Sequence, residues 1–379
     1  MERTLKSTPA FESAGRPPLG MGALLAAFVL ALFPVSVLAS GGDRIPGSRY
    51  VSGRGAALGD AYIGFADTIA DSLFYNPAGL GKVNGVTFEP LNAQIQMNDK
   101  LSGSFGTDFY KFQNLNDYQA TLAKHPNTNP GGGYALLPAF GFRGFGMGVL
   151  YQSRLMAETD GTNTRYRVNN QFIPAAGFGL PLASGVLRLG YVLQYVNQAS
   201  GDVSAASNSG LGWTKGLAEG HGFSHNLGLA LTLPYIYQPS INVVARNFAG
   251  VHYTGKPMVV SASGSSGTIP DEKMSLDSSI GAVTKISGGW SLSAQLAYRD
   301  GLNSSNTRMI EHIATGLEFT AMDRIFLRAG FGSGYPSAGL GIRTDRAEVN
   351  FAWFSEDLGD GTTPQRDMRY LFQFLFKAF

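Results

Sequence analysis

Residues 53–82 read GRGAALGDAYIGFADTIADSLFYNPAGLGK. Glycine and other small residues interrupt this stretch too often for a strong helix, and its apolar residues alternate too weakly for a barrel strand. It closes on Phe74-Tyr75-Asn76-Pro77-Ala78-Gly79-Leu80, where Asn-Pro and Ala-Gly punctuate a compact turn. From Gly85 onward the period of the apolar residues becomes two, the period of a strand. A compact segment without strands, placed ahead of a long strand series, predicts a plug or clasp with the strands as the wall around it.

Composition agrees with a wall that is wet on one face and apolar on the other. The 379 residues include 50 glycines, 25 Phe, 16 Tyr and 3 Trp, yet only 15% are charged, against roughly 25% in soluble domains. The overall hydropathy is nevertheless near zero, as an alternating lipid-facing and water-facing wall produces. The absence of cysteine excludes a disulfide framework, Cys-ligated zinc and a lipid-anchored Cys. A formal charge of +2, with no Lys/Arg cluster, argues against a nucleic-acid partner.

The alternation resolves into fourteen strands, near 86–97, 134–142, 145–157, 166–180, 186–198, 226–233, 241–248, 275–285, 290–298, 311–320, 324–331, 338–344, 347–354 and 367–379. In strand five Leu187, Leu189, Tyr191, Leu193 and Tyr195 share a face opposite Arg188, Gly190, Val192 and Gln194. Strand nine carries Trp290 and Tyr298 at the two ends of its apolar face, where aromatic girdles meet the two membrane interfaces. Connections after even strands are short, and those after odd strands are mostly longer and rich in Gly, Ser, Asn and Asp. Short periplasmic turns and long external loops create that rhythm, and single-chain bacterial barrels have even strand numbers. The expected fold is therefore all-β, a 14-stranded antiparallel transmembrane β-barrel with an N-terminal plug, and a short helix near 109–123 in its first loop. The apolar faces of strands five, six, nine, ten and thirteen carry no Lys, Arg, Asp or Glu, as lipid exposure requires.

The N-terminus sets the compartment. Arg3, Lys6 and Arg16 precede an apolar run from Met21 to Ala39, and Val37-Leu38-Ala39 fits the small-residue cleavage rule. Pro34 and the polar Ser40–Asp43 favour cleavage after Ala39 over a retained helix. The expected organisation is a signal peptide over 1–39, a plug or hatch over 40–84 and a barrel over 85–379. The expected location is the outer membrane of a Gram-negative bacterium.

Asn76, Pro77 and Ala78, together with Leu58-Gly59-Asp60-Ala61-Tyr62 and Ala66-Asp67, resemble the N-terminal pattern of the FadL family of outer-membrane transporters. In that family a hatch bearing Asn-Pro-Ala precedes the barrel and hydrophobic compounds such as long-chain fatty acids are carried. The resemblance implies outer-membrane lipid, a hydrophobic small-molecule ligand and the barrel-assembly machinery as partners, with no cofactor. PorV-type barrels of the same superfamily share the pattern and imply the alternative, a partner of a secreted or surface protein that moves no small molecule. Inward apolar residues would support transport, with Val192, Phe326 and Phe354 as candidates.

Nothing in the chain resembles an active site. His125, His221, His225, His252 and His312 are scattered, Asp357-Leu358-Gly359-Asp360-Gly361 lacks the remaining spacing of a calcium loop, and no nucleophile motif or readable carboxylate pair is present. No catalytic, cofactor or metal residue is assigned. Two prolines carry a different message. Pro138 and Pro174 fall within strands two and four, and proline deletes a ladder hydrogen bond in a barrel that has no edge. Strand three between them holds Gly146 and Gly148, which weaken a strand. FadL-family barrels open sideways at a kinked strand, so Pro138, Gly146, Gly148 and Pro174 are expected to mark a lateral opening around strand three. One signal is mixed: Tyr370, Phe372, Phe374 and Phe376 share one face of the last strand, whereas the terminal Phe379 has the opposite parity.

Overall fold

The structure is a computed structural model that describes residues 49–104, 122, 124–125, 128–160, 162–206, 216–255, 268–286, 288–303, 308–359 and 364–379. The cleavage site lies outside the described residues, as does nearly all of the helix expected near 109–123.

Fourteen strands form one closed antiparallel sheet. β1 comprises Val86–Glu89 and Leu91–Asn98, divided by Pro90, and β2 comprises Gly131–Leu136 and Ala139–Phe142, divided at Pro138. There follow β3 (Phe145–Thr159), β4 (Asn163–Leu182), β5 (Leu187–Ala206), β6 (Ala218–Thr232), β7 (Ser240–Arg246) and β8 (Ser275–Ile286). β9 (Trp290–Tyr298), β10 (Ile313–Ala321), β11 (Ile325–Gly332), β12 (Tyr335–Arg343), β13 (Ala347–Asp357) and β14 (Arg366–Phe376) complete the wall. Each strand pairs with its sequence neighbours, and β14 returns to β1 from Arg369↔Asn98 to Phe376↔Leu91. Closure leaves no unpaired edge, the condition for a sheet to lie in lipid.

The two faces sort as the parity requires. Leu189, Leu193, Phe223, Leu227, Leu229, Leu292, Leu317, Phe351 and Phe372 are exposed outward. Inward, Gln152, Arg154, Glu318, Arg328, Asn350 and Gln373 are buried. Among the described residues no helix is long and apolar enough to cross a membrane.

β4 and β5 run to 20 residues each, twice the roughly 10 that a tilted strand needs to cross a bilayer. Their distal halves pair from Asn163↔Ala206 to Phe172↔Asn197 although 197–206 is rich in Asn, Ser, Gly and Asp. That composition hid the extension, because pairing partners rather than local propensity hold it. The last strand also resolves its parity conflict. Regular alternation stops at Phe376, Ala378 N–H then donates to Phe88 O at 2.9 Å, and the Phe379 ring lies 6.0 Å from that of Phe88.

Candidate functional site

Residues 49–82 pack against inward-facing side chains of the wall and are buried almost throughout. Their helices are short, α1 (Gly53–Ala57), α2 (Ile69–Phe74) and a 3-10 turn over Pro77–Lys82. Each starts on a side-chain cap: Ser52 accepts from Gly55 N–H, Thr68 from Asp71 N–H and Asn76 from Ala78 N–H. Such caps satisfy the orphan amides of a helix start. The Asn76 amide also donates to Ile63 O at 2.9 Å, and Pro77 occupies the first helical position, where its missing N–H costs nothing. Asn76, Pro77 and Ala78 thus form one structural unit. Tyr62 and Tyr75 pack edge to face at 4.9 Å, and Tyr62 OH donates to Asp71 at 2.8 Å. Burial pushes the Asp71 carboxyl up to about 6, against the hydrogen bonds from Thr68 and Tyr62.

Two devices hold this inner segment to the wall. The first is steric. A Cβ on Gly190 of β5 would overlap the carbonyl of Pro77, and one on Gly228 of β6 would overlap Asn76 Oδ1. Gly179 of β4 meets Gly81 in the same way, and Gly330 of β11 meets Leu58 on the opposite side of the wall. Only glycine lets backbone approach this closely. The second device is ionic. Arg54 grips Glu318 of β10 through Nε at 2.7 Å and Nη2 at 2.6 Å, and Arg328 of β11 donates to the same carboxylate at 2.6 Å. Arg299 reaches Asp60 at 2.6 Å, and Arg246 donates to the carbonyls of Phe74 and Tyr75. Glu89 of β1 accepts from the amides of Ile69 and Ala70.

A cavity of about 590 Å³ lies beside this segment. Tyr50 and Phe74 border it from the segment, Leu150, Ile173 and Val196 from β3, β4 and β5, and Asn226, Arg246, Asn247, Glu272 and Asp277 from the other side. The β3–β5 side is mixed, since Gln171 and Gln194 border the cavity beside these three apolar residues, and the other side is polar.

The ladders on both sides of β3 are continuous. β3 and β4 pair without a break from Phe145↔Phe178 to Thr159↔Thr164, through Val149↔Pro174. Between β2 and β3 the register continues across Pro138, whose carbonyl accepts from Val149 N–H at 3.1 Å. Gly146 and Gly148 face inward, where a Cβ would come within 2.6 Å of Leu80 and 3.0 Å of Leu73 respectively. They make room for the inner segment rather than a gap. The larger lapse lies one strand further on. β4 and β5 are paired at Phe172↔Asn197 and again at Ala175↔Gln194, but not at 173 and 174. An antiparallel residue turns both its backbone groups to one neighbour, so the N–H that Pro174 lacks is missing on the β5 side.

Sequence reasoning overlooked the glycine seat and the Glu318 clamp. The signal was present: Gly190, Gly228 and Gly316 sit at inward parity, where a lumen filled with water leaves long polar side chains free to stand. Val192, Phe326 and Phe354 do face inward and are buried, yet none borders the large cavity. Phe326 instead lies under the guanidiniums of Arg328 and Arg343, at 4.9 and 4.7 Å.

Fold and site together define a class, a fourteen-stranded antiparallel transmembrane barrel with an N-terminal segment packed on its inward face. No protein-family model matches the chain, and no curated protein matches it. Among solved structures the fold is similar to the CymD monoaromatic hydrocarbon channel, with a TM-score of 0.51 and 11% identity over 86% of this chain and 97% of that one. It is equally similar to the Pseudomonas putida toluene transporter TodX, with a TM-score of 0.51 and 10% identity over 88% of this chain and 98% of that one. At such identities the likeness is one of fold.

Proposed function

We propose that the protein is an outer-membrane channel for hydrophobic small molecules, long-chain fatty acids among them, in which residues 40–84 act as a hatch. The observation that carries this reading is the cavity of about 590 Å³ bordered by the apolar Phe74, Leu150, Ile173 and Val196, a size suited to a single small ligand. The apolar belt outside the barrel and the fold likeness to two hydrocarbon channels support it. Expression of the protein should confer uptake of radiolabelled oleate or toluene on cells otherwise impermeable to them. An assembled barrel that confers neither would turn the reading to a PorV-type partner of a surface protein.

The hatch reading has its own test. Asn76→Ala with Pro77→Ala removes the cap and the fixed φ that hold the last turn. A helix cap is worth about 1 kcal/mol, so the barrel should assemble normally while its ion conductance in planar bilayers rises. Conductance equal to wild type would count against a hatch.

We further propose that ligand leaves sideways through the wall, where an axial route would lead an apolar molecule into water. The lapse between β4 and β5 is the place favoured by the geometry, because Ile173 and Val196 both border the cavity and are unpaired with each other. The chain has no cysteine, so Ile173→Cys with Val196→Cys can be bridged cleanly. Oxidation should abolish uptake and reductant restore it. Undiminished uptake by the oxidised protein would exclude this route.

A further inference from the structure

We infer that the cavity selects its ligand by head group, accepting an apolar body that carries an ammonium or other hydrogen-bond donor and disfavouring carboxylates. This rests on the reading of the barrel as a channel for hydrophobic molecules and narrows it: under this inference the fatty acids named there are the poorer ligands and neutral or cationic molecules the better ones. The polar side of the cavity is shaped by an interruption of β7. After Arg246 the chain turns out of the ladder through Asn247, Ala249 and Gly250, with φ of 50°, 70° and 80°, and pairing resumes at Val251↔Glu272. Side chains fill the lapse: Asn247 N–H donates to Asn226 Oδ1 at 3.0 Å, and Asn247 Nδ2 donates to Glu272 at 2.9 Å.

The charges on that side are unevenly matched. Arg246 is committed to Asp277 at 2.8 Å and to the carbonyls of Phe74 and Tyr75. Arg49 lies between Asp277 at 3.3 Å and Asp60 at 3.6 Å. Glu272 differs, since its side-chain partners are the neutral Asn247 and Tyr253 OH, the latter at 3.0 Å, and Asp300, which also borders the cavity, accepts from the neutral Asn303. A carboxylate offers about four acceptor sites, so the two neutral donors leave Glu272 with spare capacity and, among the described residues, no paired cation. Lys273 also borders the cavity but is exposed, where solvent weakens its field. The apolar residues Phe74, Leu150, Ile173 and Val196 would hold the body of the same ligand. An incoming carboxylate would meet Glu272 as a like charge, and an ammonium would meet it as a partner.

The experiment uses the full barrel in lipid nanodiscs at neutral pH, without detergent that could fill the cavity. Binding of 2-phenylethylamine, 2-phenylethanol, phenylacetate and ethylbenzene is measured by calorimetry, so that only the head varies. The amine is expected to bind at least about tenfold more tightly than phenylacetate, with the alcohol between them. Glu272→Gln should erase most of the amine's advantage and leave ethylbenzene unchanged. Phenylacetate binding as tightly as the amine would overturn the inference while leaving the channel reading intact, because ethylbenzene would still bind. An amine advantage that survives in Glu272→Gln would overturn the role of Glu272. Binding of none of the four would overturn the inference together with the channel reading. The ranking in the unaltered protein decides the head-group question even if Glu272→Gln fails to assemble.

Discussion

Gly228→Val is expected to unseat the inner segment and leave the barrel standing. The added side chain would start inside Asn76, with Ala78 N at 2.8 Å and Pro77 Cδ at 3.0 Å from its Cβ. Those atoms belong to backbone and to a fixed ring, so they cannot move aside one rotamer at a time. Overpacking of this kind costs about 1–3 kcal/mol, and about 2 kcal/mol shifts a two-state ratio by about thirtyfold. The ladder of β6 to β5 and β7 depends on backbone, and the lipid-facing leucines of β6 lie at the other parity, so assembly should survive. Planar-bilayer conductance should rise by about an order of magnitude if a shift of that size reaches the pore. Protease should then cut within 69–81. Gly85→Ala is the control, since nothing lies within 4 Å of a Cβ there. Wild-type conductance and protection in Gly228→Val would show that this glycine does not seat the segment.

Glu318→Gln should release the other half of the segment by a different mechanism. Glu318 is 2% exposed and faces two guanidiniums, Arg54 and Arg328. Removing its charge leaves both cations buried with one weaker carboxylate each, Asp67 at 2.8 Å from Arg54 and more exposed, and Glu348 at 3.8 Å from Arg328. Breaking a buried ion pair from one side costs about 3–5 kcal/mol, because the remaining charge stays desolvated. The unfolding temperature should fall, and 53–60 should exchange its amides faster. Adding Arg54→Gln to Glu318→Gln should recover part of the loss, since neighbours in one network do not add. A double variant whose loss equals the sum of the two single losses would show that Arg54 and Glu318 act separately.

These two residues also mark the limit of what could be read in advance. Gly228 and Glu318 stand at the parity opposite the apolar faces of strands six and ten. Parity alone puts both on the inward face. It could not say that the inward face is a mould, because a mould is defined by what fills it. Asn76 and Pro77 were legible as a turn from their own chemistry, yet that chemistry is silent about Gly190 and Gly228, more than a hundred positions away. The prolines show the same division. Pro138 and Pro174 announced lost hydrogen bonds, but which neighbouring strand loses each bond depends on register. Pairing put the larger lapse between β4 and β5, not at β3.

The sequence alone determined the fourteen strands, their order, their closure and the face each presents to lipid. Those properties follow from a local period of two and from turn residues, and a closed barrel adds only neighbour-to-neighbour pairing. Tertiary structure alone decided the cavity, the clamp and the seat. Each joins residues from strands far apart in the chain, and their distances are set by how the wall curves around residues 49–82. Periodicity carries the direction of a side chain. It does not carry the identity of the atoms that the side chain meets across the lumen.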